Sequence, residues 1–211
     1  MKKIITVQHT RSRQHENGMI GSLADWELTE EGMRQAACIG KRLAAEMTGD
    51  EFVLYSSDLR RAVQTAECIA QPLHLTPRYT PALREFDLGE ALGHTKAWAK
   101  ENACCPLWPG TIDWADRYDG VPFPGAESRQ DIWNRMADFL DTLLADPVEN
   151  CILVSHSGTL SILFALWLGM DIGDTDHCLL SGKPGGISEL QADKDGHRIL
   201  VRLNDMSYLQ D

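Results

Sequence analysis

The chain has 211 residues, 43% of them hydrophobic, with 31 acidic against 20 basic side chains and a formal net charge of −11. That length and apolar content suffice for one α/β domain spanning 1–211. The acidic balance argues against a nucleic-acid partner, whose phosphates the averaged field would repel, so any anionic substrate needs a local cluster of donors. No run of 18 apolar residues occurs, and the apolar start turns polar at Gln8, so neither a membrane span nor a signal peptide is expected and the cytoplasm is the expected location. The six cysteines, Cys38, Cys68, Cys104, Cys105, Cys151 and Cys178, form no C-x-x-C pair and are expected to be reduced thiols, with Cys38, Cys68 and Cys151 filling the core.

Residues 3–8 form an apolar, partly β-branched run that predicts a buried strand, with His9 at its carboxyl end. Thr29 is suited to cap a helix whose apolar face carries Met33, Ala36, Ala37, Gly40, Leu43, Ala44 and Met47, closed by Gly49. Phe52–Ser56 predicts a second strand. The stretch after Ser57 returns to helical spacing through Ala62, Thr65, Ala66, Ile69 and Ala70, until Pro72 stops it. A third short strand is expected within residues 74–79.

From about 88 to 125 the periodicity weakens. Trp98, Trp108, Trp114, Tyr118 and four prolines crowd into this stretch, which is expected to form an inserted cap with its tryptophans packing. Ser128, with Asp131 three residues on, opens a helix with Ile132, Met136, Phe139, Leu140, Leu143 and Leu144 on its apolar face. Cys151–Ser155 reads as another buried strand, followed by His156 and an apolar helix from about Thr159 to Leu168. Residues 187–192 and 199–203, joined by Asp193-Lys194-Asp195-Gly196, predict a closing antiparallel hairpin.

Alternating strands and helices of these lengths predict a three-layer α/β/α sandwich around a mainly parallel sheet, with ligands bound beyond the carboxyl ends of its strands. His9, Ser56-Ser57 with Arg60-Arg61, and His156 all fall at such ends. One histidine after a strand is more often structural than nucleophilic. Two at equivalent points of two buried strands, Val7-Gln8-His9-Thr10 and Val154-Ser155-His156-Ser157, suggest rings converging on one ligand.

Four ordered segments then resemble the phosphoglycerate-mutase-like branch of the histidine phosphatase superfamily. They are Gln8-His9-Thr10-Arg11-Ser12, Ser57-Asp58-Leu59-Arg60-Arg61-Ala62-Val63-Gln64-Thr65-Ala66, Leu83-Arg84-Glu85 with Gly89 and Gly93, and Ser155-His156-Ser157-Gly158; Pro124-Gly125-Ala126-Glu127-Ser128 supports them. The resemblance implies a phosphomonoesterase of small phosphorylated metabolites, with His9 as the nucleophile that takes the phosphoryl group. A neutral imidazole suits that role near pH 7, because the phosphoramidate it forms hydrolyses readily. Arg61 and His156 are the implied donors to the phosphoryl oxygens, and Glu85 the implied proton carrier, with Asp87 and Glu90 as neighbouring alternatives.

Two departures from the branch pattern stand out: Gln8 where arginine is usual, and Thr10 where glycine is usual and where a side chain would narrow the space beside His9. Gln8, Thr10, Arg11, Ser12, His15 and Ser157 are candidate substrate-binding residues, and one of Arg11, Arg13 and His15 is expected to restore the missing charge. No cofactor is implied. No metal is expected, because no H-E-x-x-H or third ligand at helical spacing accompanies His9 and His15. A mutase that retains the phosphohistidine, and a non-catalytic phospho-ligand-binding member, are the alternative functions. The aromatic residues of the cap carry no code for one particular phosphomonoester, and no signal for an oligomeric state is present.

Overall fold

The computed structural model describes residues 2–47, 51–104, 118–147 and 150–210. Gly49, Cys105, Trp108 and Trp114 lie outside these. Six strands form one sheet: β1 (Lys2–Gln8), β2 (Phe52–Ser56), β3 (Arg78–Tyr79), β4 (Asn150–Ser155), β5 (Ile187–Ala192) and β6 (Arg198–Asp205), in the order β3-β2-β4-β1-β5-β6. Strands β3, β2, β4 and β1 pair in parallel, while β5 runs antiparallel to both β1 and β6, so the expected mixed sheet and closing hairpin are present.

The alternation of side chains along a strand divides the core into two layers. Ile5, Val7, Leu54, Ile152 and Val154 face helices α1 (Glu30–Glu46) and α2 (Arg60–Leu73), meeting Ile39, Leu43, Ala62, Ala66 and Ile69. On the opposite face Ile4, Cys151, Leu153 and Leu190 meet Ile132, Met136 and Leu140 of α4 (Arg129–Ala145) and Leu160 and Leu163 of α5 (Ser157–Trp167). The result is helix, sheet and helix in three layers. Helix α5 is apolar nearly all round because it is buried nearly all round, from Gly158 to Ala165 and at Trp167.

Several local expectations are corrected. In α1 the buried stripe is Gly32, Ala36, Ile39, Gly40 and Leu43; Met33 is 41% exposed and Ala37 is also exposed. Cys38 lies one residue, about 100° of helix, from Ile39 and is therefore exposed; Cys68 is half-buried, and of the three expected core thiols only Cys151 is buried. Pro72 does not stop α2 but sits inside its last turn. The ring is accommodated against Gly40 of α1, where a Cβ would lie 3.0 Å from Pro72 Cγ, and the chain leaves through His74 in a left-handed conformation, φ 55°. The third strand is only two residues long.

The stretch expected to lack periodicity holds a short helix, α3 (Lys96–Asn102), capped by the Thr95 hydroxyl accepting from Trp98 N–H. Trp98 stacks between His94 and Phe123, and a small third core forms from Ile20, Ala91, Ala99 and Phe123. Ser128 caps α4 as expected, its hydroxyl and the Asp131 carboxylate exchanging bonds with each other's backbone. Helix α5 begins two residues earlier than expected, with His156 itself in the capping position.

Candidate active site

Strand register brings the two imidazoles together. Gln8 of β1 pairs with Ser155 of β4, so the residues that follow, His9 and His156, leave the sheet side by side, with ring centroids 5.0 Å apart. The parallel pairing of β2 with β4 ends at Ser56 and Val154, which sets Ser57 beside them. Ser57 Oγ lies 2.9 Å from His156 Nε2. Both rings and Ser57 are buried.

Arg61 enters this cluster from the first turn of α2 with no exposed surface. Its Nε donates to His9 Nε2 at 3.2 Å, while its two terminal nitrogens donate to the backbone oxygens of Ala24 and Ser22, each at 2.7 Å. The fork is thus fixed at three points, which a lysine could not reproduce. Burial lowers the Arg61 pKa to about 10, opposed by the charges of Glu85 and Asp25, so the side chain stays cationic near neutral pH.

His9 Nδ1 lies 2.8 Å from its neighbour's backbone oxygen, Thr10 O, which can only accept; the ring proton therefore sits on Nδ1 and the Nε2 lone pair faces Arg61. Burial, then the Arg61 charge, hold His9 well below the ordinary histidine pKa of 6.5, with His15 adding a smaller push in the same direction. Burial, Arg61, His9 and Arg135 do the same to His156. Both imidazoles are neutral at pH 7 in the empty site. His156 Nδ1 is buried and has no hydrogen-bond partner among the described residues. An orphaned buried nitrogen of this kind costs on the order of 1–3 kcal/mol unless a ligand supplies its partner.

Glu85 stands at the amino end of α5. Its Oε1 accepts from Phe86 N and Thr159 N, each at 3.2 Å, and its Oε2 from Gly158 N at 3.3 Å. Gly158 lets the carboxylate approach closely, since a Cβ there would lie 2.7 Å from Glu85 Oε1. A second layer holds the segment that carries Glu85: Arg135 donates to Ala82 O at 2.6 Å and Arg84 O at 3.1 Å while pairing with Glu127, whose Oε2 accepts from Asp87 N at 2.9 Å. Asp58 forms a two-point pair with Arg84 rather than with Arg61.

The remaining candidates divide. His15 faces His9 with ring centroids 5.7 Å apart, and its Nδ1 is held by buried Ser12. Thr10 points the other way: its hydroxyl donates to Gly32 O at 2.8 Å and its N–H to Thr65 Oγ1 at 3.2 Å, so its side chain serves the α1 and α2 layer instead of narrowing the space beside His9. Gln8 is buried with its amide oxygen near Gly182, where a Cβ would be 3.2 Å from Oε1. Arg11 is half-exposed and paired with Glu16 at 3.1 Å, and Arg13 is 65% exposed, 4.0 Å from Glu27. Ser157 is the first residue of α5, half-buried.

Sequence reasoning gave no role to Ser57, Ser22 or Thr159. Ser57 was visible as the first residue of its motif. Ser22 carried no signal: its carbonyl holds Arg61, its hydroxyl bridges Phe86 O and Leu88 N, and its backbone is left-handed, φ 37°.

Comparisons with known proteins place the chain in a family. A family model described as histidine phosphatase superfamily (branch 1) matches residues 4–206. The chain is 32% identical to "Probable phosphoglycerate mutase GpmB" of Proteus mirabilis over 81% of this chain and 76% of that protein. It is 28% identical to "Phosphoserine phosphatase 1" of Hydrogenobacter thermophilus, over 82% and 79%, and 28% identical to "Glucosyl-3-phosphoglycerate phosphatase" of Mycobacterium tuberculosis, over 82% and 78%. Among solved structures, "Mycobacterial hydrolase 1" superposes with a TM-score of 0.79 at 25% identity, covering 97% of this chain and 98% of that one. With a match from residue 4 to residue 206, which takes in all of β2 to β6 and most of β1, the chain belongs to branch 1 of the histidine phosphatase superfamily and is a phosphoric monoester hydrolase.

Proposed function

We propose that the enzyme hydrolyses a small phosphomonoester through a phosphohistidine on His9, without a metal. One observation carries the proposal: the His9 Nε2 lone pair, freed by the proton on Nδ1, meets the buried Arg61 Nε at 3.2 Å beside the unpartnered His156 Nδ1. A nucleophile with two donors close by is what phosphoryl transfer needs, since its transition state spreads charge over three equatorial oxygens.

In the first half-reaction His9 Nε2 forms a bond to phosphorus as the ester P–O bond breaks, and the departing oxygen takes a proton from Glu85. The Arg61 Nε–H, held in place by the Ala24 and Ser22 carbonyls, exchanges the imidazole lone pair for a phosphoryl oxygen once Nε2 bonds to phosphorus. His156 donates from Nδ1 to another while Nε2 accepts the Ser57 hydroxyl, so it works as a neutral donor and needs no extra proton. In the second half water attacks phosphorus, Glu85 takes the water's proton, and the N–P bond breaks to release phosphate and His9. Such two-step chemistry replaces one hard displacement by two easier ones.

The named activities of the relatives direct the choice of substrates: phosphoserine, 3-phosphoglycerate and a glycosylated phosphoglycerate head a metabolite panel. Wild type and His9→Ala are assayed with that panel and with p-nitrophenyl phosphate in excess chelator, with rapid quenching at alkaline pH to trap the acid-labile phosphoenzyme. Chelator-resistant turnover, a trapped phosphohistidine, and loss of both in His9→Ala are expected. Turnover that persists in His9→Ala would falsify the assignment, and transfer between hydroxyls of phosphoglycerate without phosphate release would establish a mutase instead.

A further inference from the structure

A phosphate dianion seated at His9 Nε2 meets a charge deficit. Arg61 brings one positive charge and is pinned by two backbone carbonyls, while His9 and His156 are neutral there. The nearby arginines are engaged elsewhere, Arg11 with Glu16 and Arg13 toward Glu27. Gln8 is neutral and looks toward Gly182. One titratable group remains within reach of the anion: His15, on the solvent side of His9, with its ring 5.7 Å away.

The mounting of His15 accepts either protonation state. Its Nδ1 lies 3.0 Å from Ser12 N–H, 3.1 Å from Ser12 O and 3.1 Å from Ser12 Oγ. A bare nitrogen accepts from the backbone N–H, and a protonated one donates to the backbone oxygen, so the ring gains or loses its proton without leaving its place. The residue closes a one-turn helix, Arg13–His15, and is exposed, so water can deliver the proton. The charged groups around it are Arg11 and Glu16 on its own loop, Lys96 at the start of α3 and Arg61 from α2, and the neutral His9 ring is the titratable group it faces. Lys96 has no carboxylate within ion-pair distance among the described residues, and its ammonium donates to Gln14 O at 3.5 Å. Three cations thus surround His15 in the empty site, and an arriving dianion reverses that field.

Resting on the proposed phosphoryl site at His9, we infer that His15 is a ligand of the bound dianion and that binding is coupled to uptake of one proton on His15. In the empty enzyme partial desolvation, with Lys96, Arg61 and Arg11, lowers the His15 pKa, so near neutral pH the proton is absent until the anion brings it. The depression of His15 is milder than that of His9 or His156, so it is the imidazole that charges first. An arginine would give charge at every pH; a histidine in this position makes anion affinity pH-dependent.

The experiment uses inorganic sulfate, a dianion throughout the range, so that any pH dependence belongs to the protein. Calorimetric titrations of wild type, His15→Asn and His15→Arg run from about pH 5.5 to about pH 8 in buffers of different ionisation enthalpy. For wild type, Kd is expected to rise by up to about tenfold per pH unit, with close to one proton taken up on binding. His15→Asn is expected to bind more weakly at the acidic end, with a flat profile and no uptake. His15→Arg is expected to recover the affinity while staying flat. Sulfate binding by wild type that is absent, or flat with pH, overturns the inference, as does proton uptake that survives in His15→Asn, which would locate the proton on His156. Because no bond is made to sulfate, the outcome is independent of whether His9 is the nucleophile, which the trapping experiment decides separately.

Discussion

Arg61 Nε and His9 Nε2 meet at 3.2 Å across the gap between α2 and the end of β1. Fifty-two positions separate them in sequence, yet cation and imidazole lone pair share one point in space. The Ala24 and Ser22 carbonyls fix the guanidinium there, so it is placed before any substrate arrives. Replacing Arg61 by alanine is expected to lower kcat/KM for p-nitrophenyl phosphate by roughly 10²–10³-fold, the range for loss of one oriented donor. Arg61→Lys should recover little, because one ammonium group cannot span both carbonyls and the imidazole. Steady-state kinetics of the two variants measures this.

Gly158 and Glu85 give a second prediction. Adding a methyl group at residue 158 puts a Cβ 2.7 Å from Glu85 Oε1 and 3.1 Å from Phe86 Cε1, so the carboxylate must move. Gly158→Ala is expected to slow hydrolysis of alkyl phosphates by about 10²-fold, the low end for lost general acid catalysis, and of p-nitrophenyl phosphate by less than about tenfold. A nitrophenolate leaves without a proton. Equal losses on both substrates would assign the effect to general disruption of the site.

Buried neutral histidines make stability depend on pH. His9 and His156 have native pKa values depressed well below the 6.5 of the unfolded chain. Below pH 6.5 the unfolded state therefore binds protons that the native state does not, so stability is full above that pH and is lost as pH falls through it. The slope approaches about 1.4 kcal/mol per pH unit for each imidazole. Urea unfolding at several pH values between about 7.5 and 5.5 should show the decline, and His9→Asn and His156→Asn should each flatten it.

The sheet core offers a test free of the active site. Leu54 is fully buried on the face that meets α1 and α2, packed in one cluster with Ile5, Ile39 and Ile152. Leu54→Ala is expected to cost about 2–5 kcal/mol, as transfer loss and cavity combine. Chemical denaturation should show the lower midpoint with an unchanged slope, while kcat/KM at temperatures where the variant stays folded should match wild type.

Sequence by itself determined the elements and the order of the layers, because apolar periodicity and caps are local properties: Thr29, Ser128 and the buried runs at 3–8, 52–56 and 151–155 all lie where their spacing put them. It also determined which imidazoles could meet, since both follow strands that a parallel sheet brings side by side. Errors fell where a tertiary contact outweighed local chemistry. Pro72 stays helical because Gly40 of another helix makes room for its ring, and Ile39 instead of Met33 faces the core because the sheet fixes the rotation of α1.

Only the tertiary structure decided which polar atoms face one another. The register of Gln8 with Ser155 sets His9 beside His156, and the loop through Ser22 and Ala24 fixes the guanidinium against His9. The same folding turns Thr10 away from the site, pairs Arg11 with Glu16, and leaves His15 facing His9. Side-chain direction at a loop depends on hydrogen bonds to segments distant in sequence, and no local pattern encodes those.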